Sequence, residues 1–211
     1  MQVKGKAQAA RIEKALAAID KVHAVPATVP RVPIRTERVG REEAQYVYGR
    51  DGKPVKITVR AQTNQPGLAV LHEIGHLLDH QAHDTPGAFA SDSPREFTPV
   101  LEALRSSRAF TEIENIEKAA VAKLRQRGAS FATIADVRKK LAYVKDPKEL
   151  WARAYCQHIA QKSGEPALLK ELELTRARGP GVYIPFQWDD DDFAKIGKAI
   201  DAYMKARKWT S

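Results

Sequence analysis

Hydrophobic positions along the first third of the chain change period twice. Over residues 7–22, Ala10, Ile12, Leu16, Ile19 and Val22 recur at mixed three- and four-residue steps, which predicts an amphipathic helix packed on the main body. Residues 25–34 carry Pro26, Pro30 and Pro33, each of which disfavours a helix around it, so this stretch reads as an extended connection with strands beginning after it. From Gln45 to Arg60 the period becomes two. Gln45–Tyr48 and Val55–Arg60 flank an Asp51-Gly52 turn, with Val55, Ile57 and Val59 alternating against Lys56, Thr58 and Arg60, the pattern of a hairpin.

Asn64 as N-cap and Pro66 in the first turn predict the next helix, in which Leu68, Val70, Leu71, Ile74, Leu77 and Leu78 leave only the histidine-bearing side polar. Such a helix lies deep in a core and lines a cleft with its polar face. After Pro94 the period stays helical, over roughly 95–107, 109–127, 130–143, 147–162, 165–177 and 190–207, broken at Gly128, Asp146-Pro147, Gly164 and Gly179-Pro180-Gly181. The sum is an α+β, helix-rich chain: one domain over residues 1–211, with an N-terminal helix and connection (1–35), a small sheet and motif helix (36–90) and a helical part (91–211).

Composition narrows the chemistry. With 211 residues and 43% hydrophobic content the chain can bury one sizeable core. Its apolar runs fall short of the roughly 20 residues a membrane span needs, and residues 1–20 lack a signal-peptide block, which predicts a cytoplasmic protein, with virion association or delivery by another route as alternatives. Cys156 is the single cysteine, so a disulfide framework and the Cys-rich zinc modules are excluded, and any metal must be held by His and carboxylates. Thirty-five Lys and Arg against 26 Asp and Glu give +9. The bases are spread among helical stretches such as Arg138-Lys139-Lys140, with no recognisable nucleic-acid module, and read as solvated faces.

The segment His72-Glu73-Ile74-Gly75-His76 carries the chemistry. Residues four apart project from one helix face on successive turns, so His72 and His76 can direct imidazole nitrogens at a single zinc ion. Glu73 can reach a water on that ion without becoming a ligand, the place of a general base. Burying these groups on an apolar helix is expensive without a partner, and a metal supplies one. His80 lies eight residues beyond His72, about 12 Å along the axis, too far to share an ion with bonds of about 2 Å; it and His83 read as surface groups or as supports behind the ligands. The third ligand is therefore expected from a glutamate on a second helix. Asp79 either accepts the second ring proton of a ligand histidine or is a solvated helix-end acid. Gly75 predicts close approach of another element, because glycine within a helix otherwise costs about 1 kcal/mol.

His72-Glu73-Ile74-Gly75-His76-Leu77-Leu78-Asp79, followed by Glu149-Leu150-Trp151-Ala152-Arg153-Ala154-Tyr155, resembles the zinc peptidase domain of anthrax lethal factor and the phage- and prophage-encoded zincins of that group. The resemblance implies a zincin-like fold and Glu149 as third ligand; Glu96, Glu102 and Glu114 are the other carboxylates that could serve. It also implies Tyr143 as the donor that steadies the oxyanion, for which the sequence offers Tyr155 as a rival. Leu150 departs from the family's aromatic. Asp146-Pro147-Lys148-Glu149 is also an N-cap, N1 proline and N3 acid that starts a helix whatever else Glu149 does.

The expected activity is zinc-dependent hydrolysis of a peptide or protein substrate, held on Val55–Arg60 as an edge strand, with Lys56, Thr58 and Arg60 contacting it and the two bases favouring acidic side chains. The alternatives are a catalytically silent binding or phage structural protein, and a delivered toxin protease with one host target. Gly179–Trp188 reads as a lip over the cleft or a packed loop, and Asp189–Asp192 as helix capping without calcium-loop spacing. Oligomeric state is not legible.

Overall fold

The structure is a computed structural model that describes residues 2–38, 40, 42–83, 86–92, 94–177 and 184–210, without the side chains of residues 94–96. Among them are eight α-helices: α1 (Lys6–Val22), α2 (Pro66–Gln81), α3 (Pro94–Arg105), α4 (Arg108–Gln126), α5 (Phe131–Lys145), α6 (Pro147–Ser163), α7 (Pro166–Arg176) and α8 (Asp190–Ala206). Three strands, β1 (Ile34–Glu37), β2 (Ala44–Tyr48) and β3 (Pro54–Arg60), form a small mixed sheet, and a single 3₁₀ turn covers Ala90–Asp92. The fold is α+β and helix-rich, and among the described residues no helix is long and apolar enough to cross a membrane.

Sheet order corrects one sequence expectation. β3 is central, parallel to β1 (Ile34 opposite Ile57) and antiparallel to β2 (Tyr46 opposite Ile57), so the edge beside the motif helix is β2. With both sides of its main chain paired, β3 cannot receive a substrate strand. Its alternation is also incomplete. Ile57 and Val59 are buried as expected, but Val55 precedes the first β1 pair and is exposed, while Thr58 is buried between Arg35 and Gln45 at the same register.

α2 runs through the core, which extends from Ile12 and Ile19 on α1 to Ile200 and Met204 on α8. Its N-cap position is Gln65 rather than Asn64, and no side chain of its own caps it. The orphan N–H groups of Gly67 and Leu68 are taken by the buried Glu171 carboxylate of α7 (3.3 and 2.7 Å), which is itself held by Arg11 of α1 at 2.6 Å. A cap supplied from two other helices leaves no local sequence signal. The acidic run at 189–192 likewise reaches outward: Asp192 accepts from the N–H groups of Arg108 and Ala109 at the start of α4, and Asp190 pairs with Arg176.

Gly75 is where α2 meets α6. A Cβ there would stand 3.0 Å from the Ala152 Cα and 3.3 Å from the Tyr155 ring, and Trp151 Nε1 donates to the Gly75 carbonyl at 2.9 Å. Backbone cannot yield as a flexible side chain would, so Gly75→Ala is expected to push the helices apart and lower stability by about 1–3 kcal/mol, read by chemical denaturation. Unchanged stability would mean that the two helices can separate at this crossing at little cost.

Candidate metal centre

The close crossing at Gly75 and Ala152 sets the distance between the two motif helices, and with it the site. Glu149 lies one turn before Ala152 on α6; His72 and His76 lie one turn before and one residue after Gly75 on α2. Asp146 caps α6 by accepting from the Lys148 N–H at 2.9 Å, Pro147 takes the first helical position, and Glu149 follows in the first turn. From there its Oε2 lies 3.3 Å from His72 Nε2 and its Oε1 3.4 Å from His76 Nε2, while the two Nε2 atoms are 3.1 Å apart.

These separations decide what the triangle can hold. Four donors about 2.0–2.1 Å from a common centre in tetrahedral array lie about 3.3–3.4 Å from one another. The 3.1 Å between the two Nε2 atoms, and the 3.3 and 3.4 Å from them to the two oxygens of the Glu149 carboxylate, are close to that edge length, and one ligand atom from each of the three residues lies within 4.8 Å of the others. A proton between the rings can serve only part of the triangle, whereas a cation at its centre serves all three donors. Among the described residues this is the one group of three or more His, Cys, Asp or Glu side chains with metal-ligand spacing. Burial works against the Glu149 charge, but hydrogen bonds and charge from His72 and His76 hold its carboxyl well below the usual range. Burial likewise opposes a charged His76, and Glu149 nevertheless raises its pKa.

Glu73 points to the same cleft and is buried. Its Oε2 accepts from the Tyr46 main-chain N–H at 2.6 Å, so β2 fixes the carboxylate beside the donor triangle. The cleft has a volume of about 560 Å³ and is lined by β2, α2, the end of α5, the start of α6, Phe89 and Phe186-Gln187. Tyr143 is exposed as a residue and also lines this cleft. Burial, and then the charge of Glu149, raise its phenol well above the ordinary value, so the hydroxyl stays protonated. Tyr155 is buried elsewhere, its hydroxyl 2.9 Å from His23 Nε2, and is set aside as the rival.

The remaining candidates separate. Asp79 is fully buried rather than solvated, and spends both oxygens on Ser91, accepting from its N–H at 2.8 Å and its hydroxyl at 2.6 Å; burial lifts its carboxyl to about 6. His80 and His83 are not surface groups. His80 Nδ1 lies 2.9 Å from the Tyr46 hydroxyl, with its ring stacked on Phe89, while His83 sits among Phe97, Tyr203 and Arg207. Glu102 is exposed on α3 and Glu114 lies in a separate groove; the Glu96 side chain and residues Gly179–Tyr183 of the proposed lip lie outside the described residues.

Lys56, Thr58 and Arg60 do not line the cleft. Lys56 pairs with Glu37 at 2.5 Å and Arg60 with Glu43 at 3.0 Å, so the expected preference for acidic substrates loses its basis. Sequence reasoning missed Tyr46, which acts through a main-chain N–H that no residue type advertises. It also missed Arg153, one turn after Glu149 on the same face, a spacing that could have flagged it. Arg153 is buried at the cleft floor, donating to the carbonyls of Glu149 at 3.0 Å and of Val144, and so ties the end of α5 that bears Tyr143 to α6.

No protein-family model, curated protein or solved structure matches the chain.

Proposed function

We propose that the protein is a zincin-like zinc endopeptidase with His72, His76 and Glu149 as its metal ligands. The observation that carries this reading is the convergence of the His72, His76 and Glu149 side chains, with imidazole and carboxylate atoms 3.1–3.4 Å apart, beside a fixed Glu73 carboxylate. When bound, zinc supplies Lewis acidity toward a carbonyl and a water.

The chain's own groups supply the rest. Tyr46 holds Oε2 of Glu73, leaving Oε1 to take a proton as water oxygen attacks the scissile carbonyl carbon. Glu73 then delivers that proton to the amine nitrogen as the C–N bond breaks. The Tyr143 hydroxyl, held neutral, donates to the oxygen that gains charge. The substrate main chain pairs along β2. Glu43 faces β3 through its bond to the Arg60 N–H and the Tyr46 N–H turns to Glu73, so by alternation the main-chain groups of Ala44 and the carbonyl of Tyr46 face the cleft side.

Purified protein is expected to hold one zinc per chain and to cleave casein or a mixed fluorogenic peptide set. A strong chelator should abolish cleavage, and added zinc should restore it. Absence of stoichiometric zinc would end the proposal; bound zinc with no cleavage of any substrate would remove the peptidase and leave a zinc-binding protein.

A further inference from the structure

The chain's positive charge is not spread evenly over the folded molecule. Between residues 118 and 140, Lys118, Lys123, Arg125, Arg127, Arg138, Lys139 and Lys140 face Asp136 alone, a net +6 of the chain's +9 within one helical hairpin. All seven bases are exposed, and among the described residues none of them makes an ion pair. The hairpin, α4 and α5, rests on the body through α3 and α6, and its base is a small cluster of Ile113, Leu141 and Val144 separate from the main core. The distal half is therefore a basic arm.

Two further features give that arm a shape. A groove of about 360 Å³ runs between the helices, with Lys118 and Arg125 on one wall, Arg138 on the other and Val121 at its floor. Glu114 and Glu117 also line it, Glu117 neutralised by Lys145 at 2.6 Å. Phe131, in the first turn of α5, is 94% exposed, the most exposed large apolar side chain among the described residues. It lies seven residues before Arg138 and fourteen before Lys145, and seven residues are close to two full turns, so ring and cations share one face of α5.

A cation-lined groove that tracks a phosphate backbone, beside an exposed aromatic face on which a base can stack, is the arrangement that binds single-stranded nucleic acid without reading its sequence. We infer that the α4–α5 hairpin is a single-stranded nucleic-acid binding arm. Paired bases are stacked on each other and cannot meet Phe131, so a duplex engages the cations alone. An acidic peptide would use the cations and leave the ring idle. A bilayer anchor needs more apolar surface than one phenylalanine among Gly128, Ser130 and Thr133. The inference does not rest on the peptidase reading, because Arg138 and Lys145 turn to the groove while Tyr143 and Val144 line the cleft.

The test is fluorescence anisotropy of full-length, metal-loaded protein with labelled oligothymidine of about 12 nucleotides, beside a duplex of the same length and labelled decaglutamate, with co-sedimentation on phosphatidylserine vesicles in parallel. The expected result is micromolar binding to the single strand, tighter than to duplex or decaglutamate. Its log–log salt dependence should be about −2 to −3 for three or four neutralised phosphates, measured between about 50 and 200 mM salt. Phe131→Ala should weaken binding about tenfold at little change in salt slope, and the Arg125→Glu/Arg138→Glu pair more than tenfold with a flatter slope. Both sites are exposed, so circular dichroism and zinc content should match the parent. Indifference to Phe131→Ala, equal or tighter binding of duplex or decaglutamate, capture by vesicles in preference to the single strand, or no binding at low salt would each overturn the inference.

Discussion

Glu73→Gln is expected to keep its zinc and lose its activity. The amide oxygen of glutamine can still accept the Tyr46 N–H, now at 2.6 Å from Oε2, so the side chain and β2 need not move. The three proposed ligands, His72, His76 and Glu149, are untouched, because Glu73 is not part of that group. What disappears is the proton acceptor, and removing a positioned base typically costs about 10²–10⁴-fold in rate. Metal analysis alongside kcat/KM on one peptide substrate separates the two effects. Activity within tenfold of the parent would assign the base elsewhere; loss of zinc would mean that Glu73 helps hold the metal.

Glu149→Ala should do the reverse and empty the site. Two imidazoles would remain of the three converging donors, and zinc affinity should fall by more than the roughly 10–100-fold typical of losing a group behind a ligand. The helix should survive, since Asp146 caps it and Pro147 starts it independently of Glu149, and an acid in the first turn of a helix is worth only about 0.3–1 kcal/mol. Competition against a chelator of known zinc affinity measures the first effect, and circular dichroism with denaturant titration controls for the second. Parental zinc affinity in a folded Glu149→Ala protein would sink the assignment of Glu149 as a ligand, and with it the geometric argument for the site.

The two substitutions also probe how the site is held. Glu149 reaches His72 and His76 only because α2 and α6 approach at a glycine, and Arg153 ties the helix bearing Tyr143 to the same α6. A change at Gly75 should therefore weaken metal binding as well as stability, even though residue 75 contributes no donor.

Much of this was legible in the chain itself. Helix periodicity and Pro/Gly punctuation placed the eight helices of the described residues within a few residues of where they lie, and the Asp51-Gly52 turn gave the β2–β3 pairing, because these signals are local. The spacing of His72 and His76 fixed a two-donor face, since it depends only on helix geometry. Glu149 entered through a resemblance, and its own neighbours said no more than that a helix starts at Pro147.

What the sequence could not determine depended on contacts between distant segments. Sheet order made β3 central and β2 the edge, since pairing partners and not period decide which strand has a free side. Glu171 and Ser91 satisfy or hold groups on other elements, so Asn64 and Asp79 were misread from their own neighbourhoods, while the acidic run starts α8 as expected and Asp192 additionally caps α4. His80 and His83 are buried because Tyr46, Phe89, Phe97 and Tyr203 pack on them, which no spacing reveals. Bases that read as scattered over helical faces are gathered by a helix turn at Gly128 into one arm. The sequence by itself determined the helices and the two-histidine face, through interactions a few residues long. Tertiary structure decided the third donor's distance, the edge strand and the charged hairpin, because each needs segments far apart in the chain to meet.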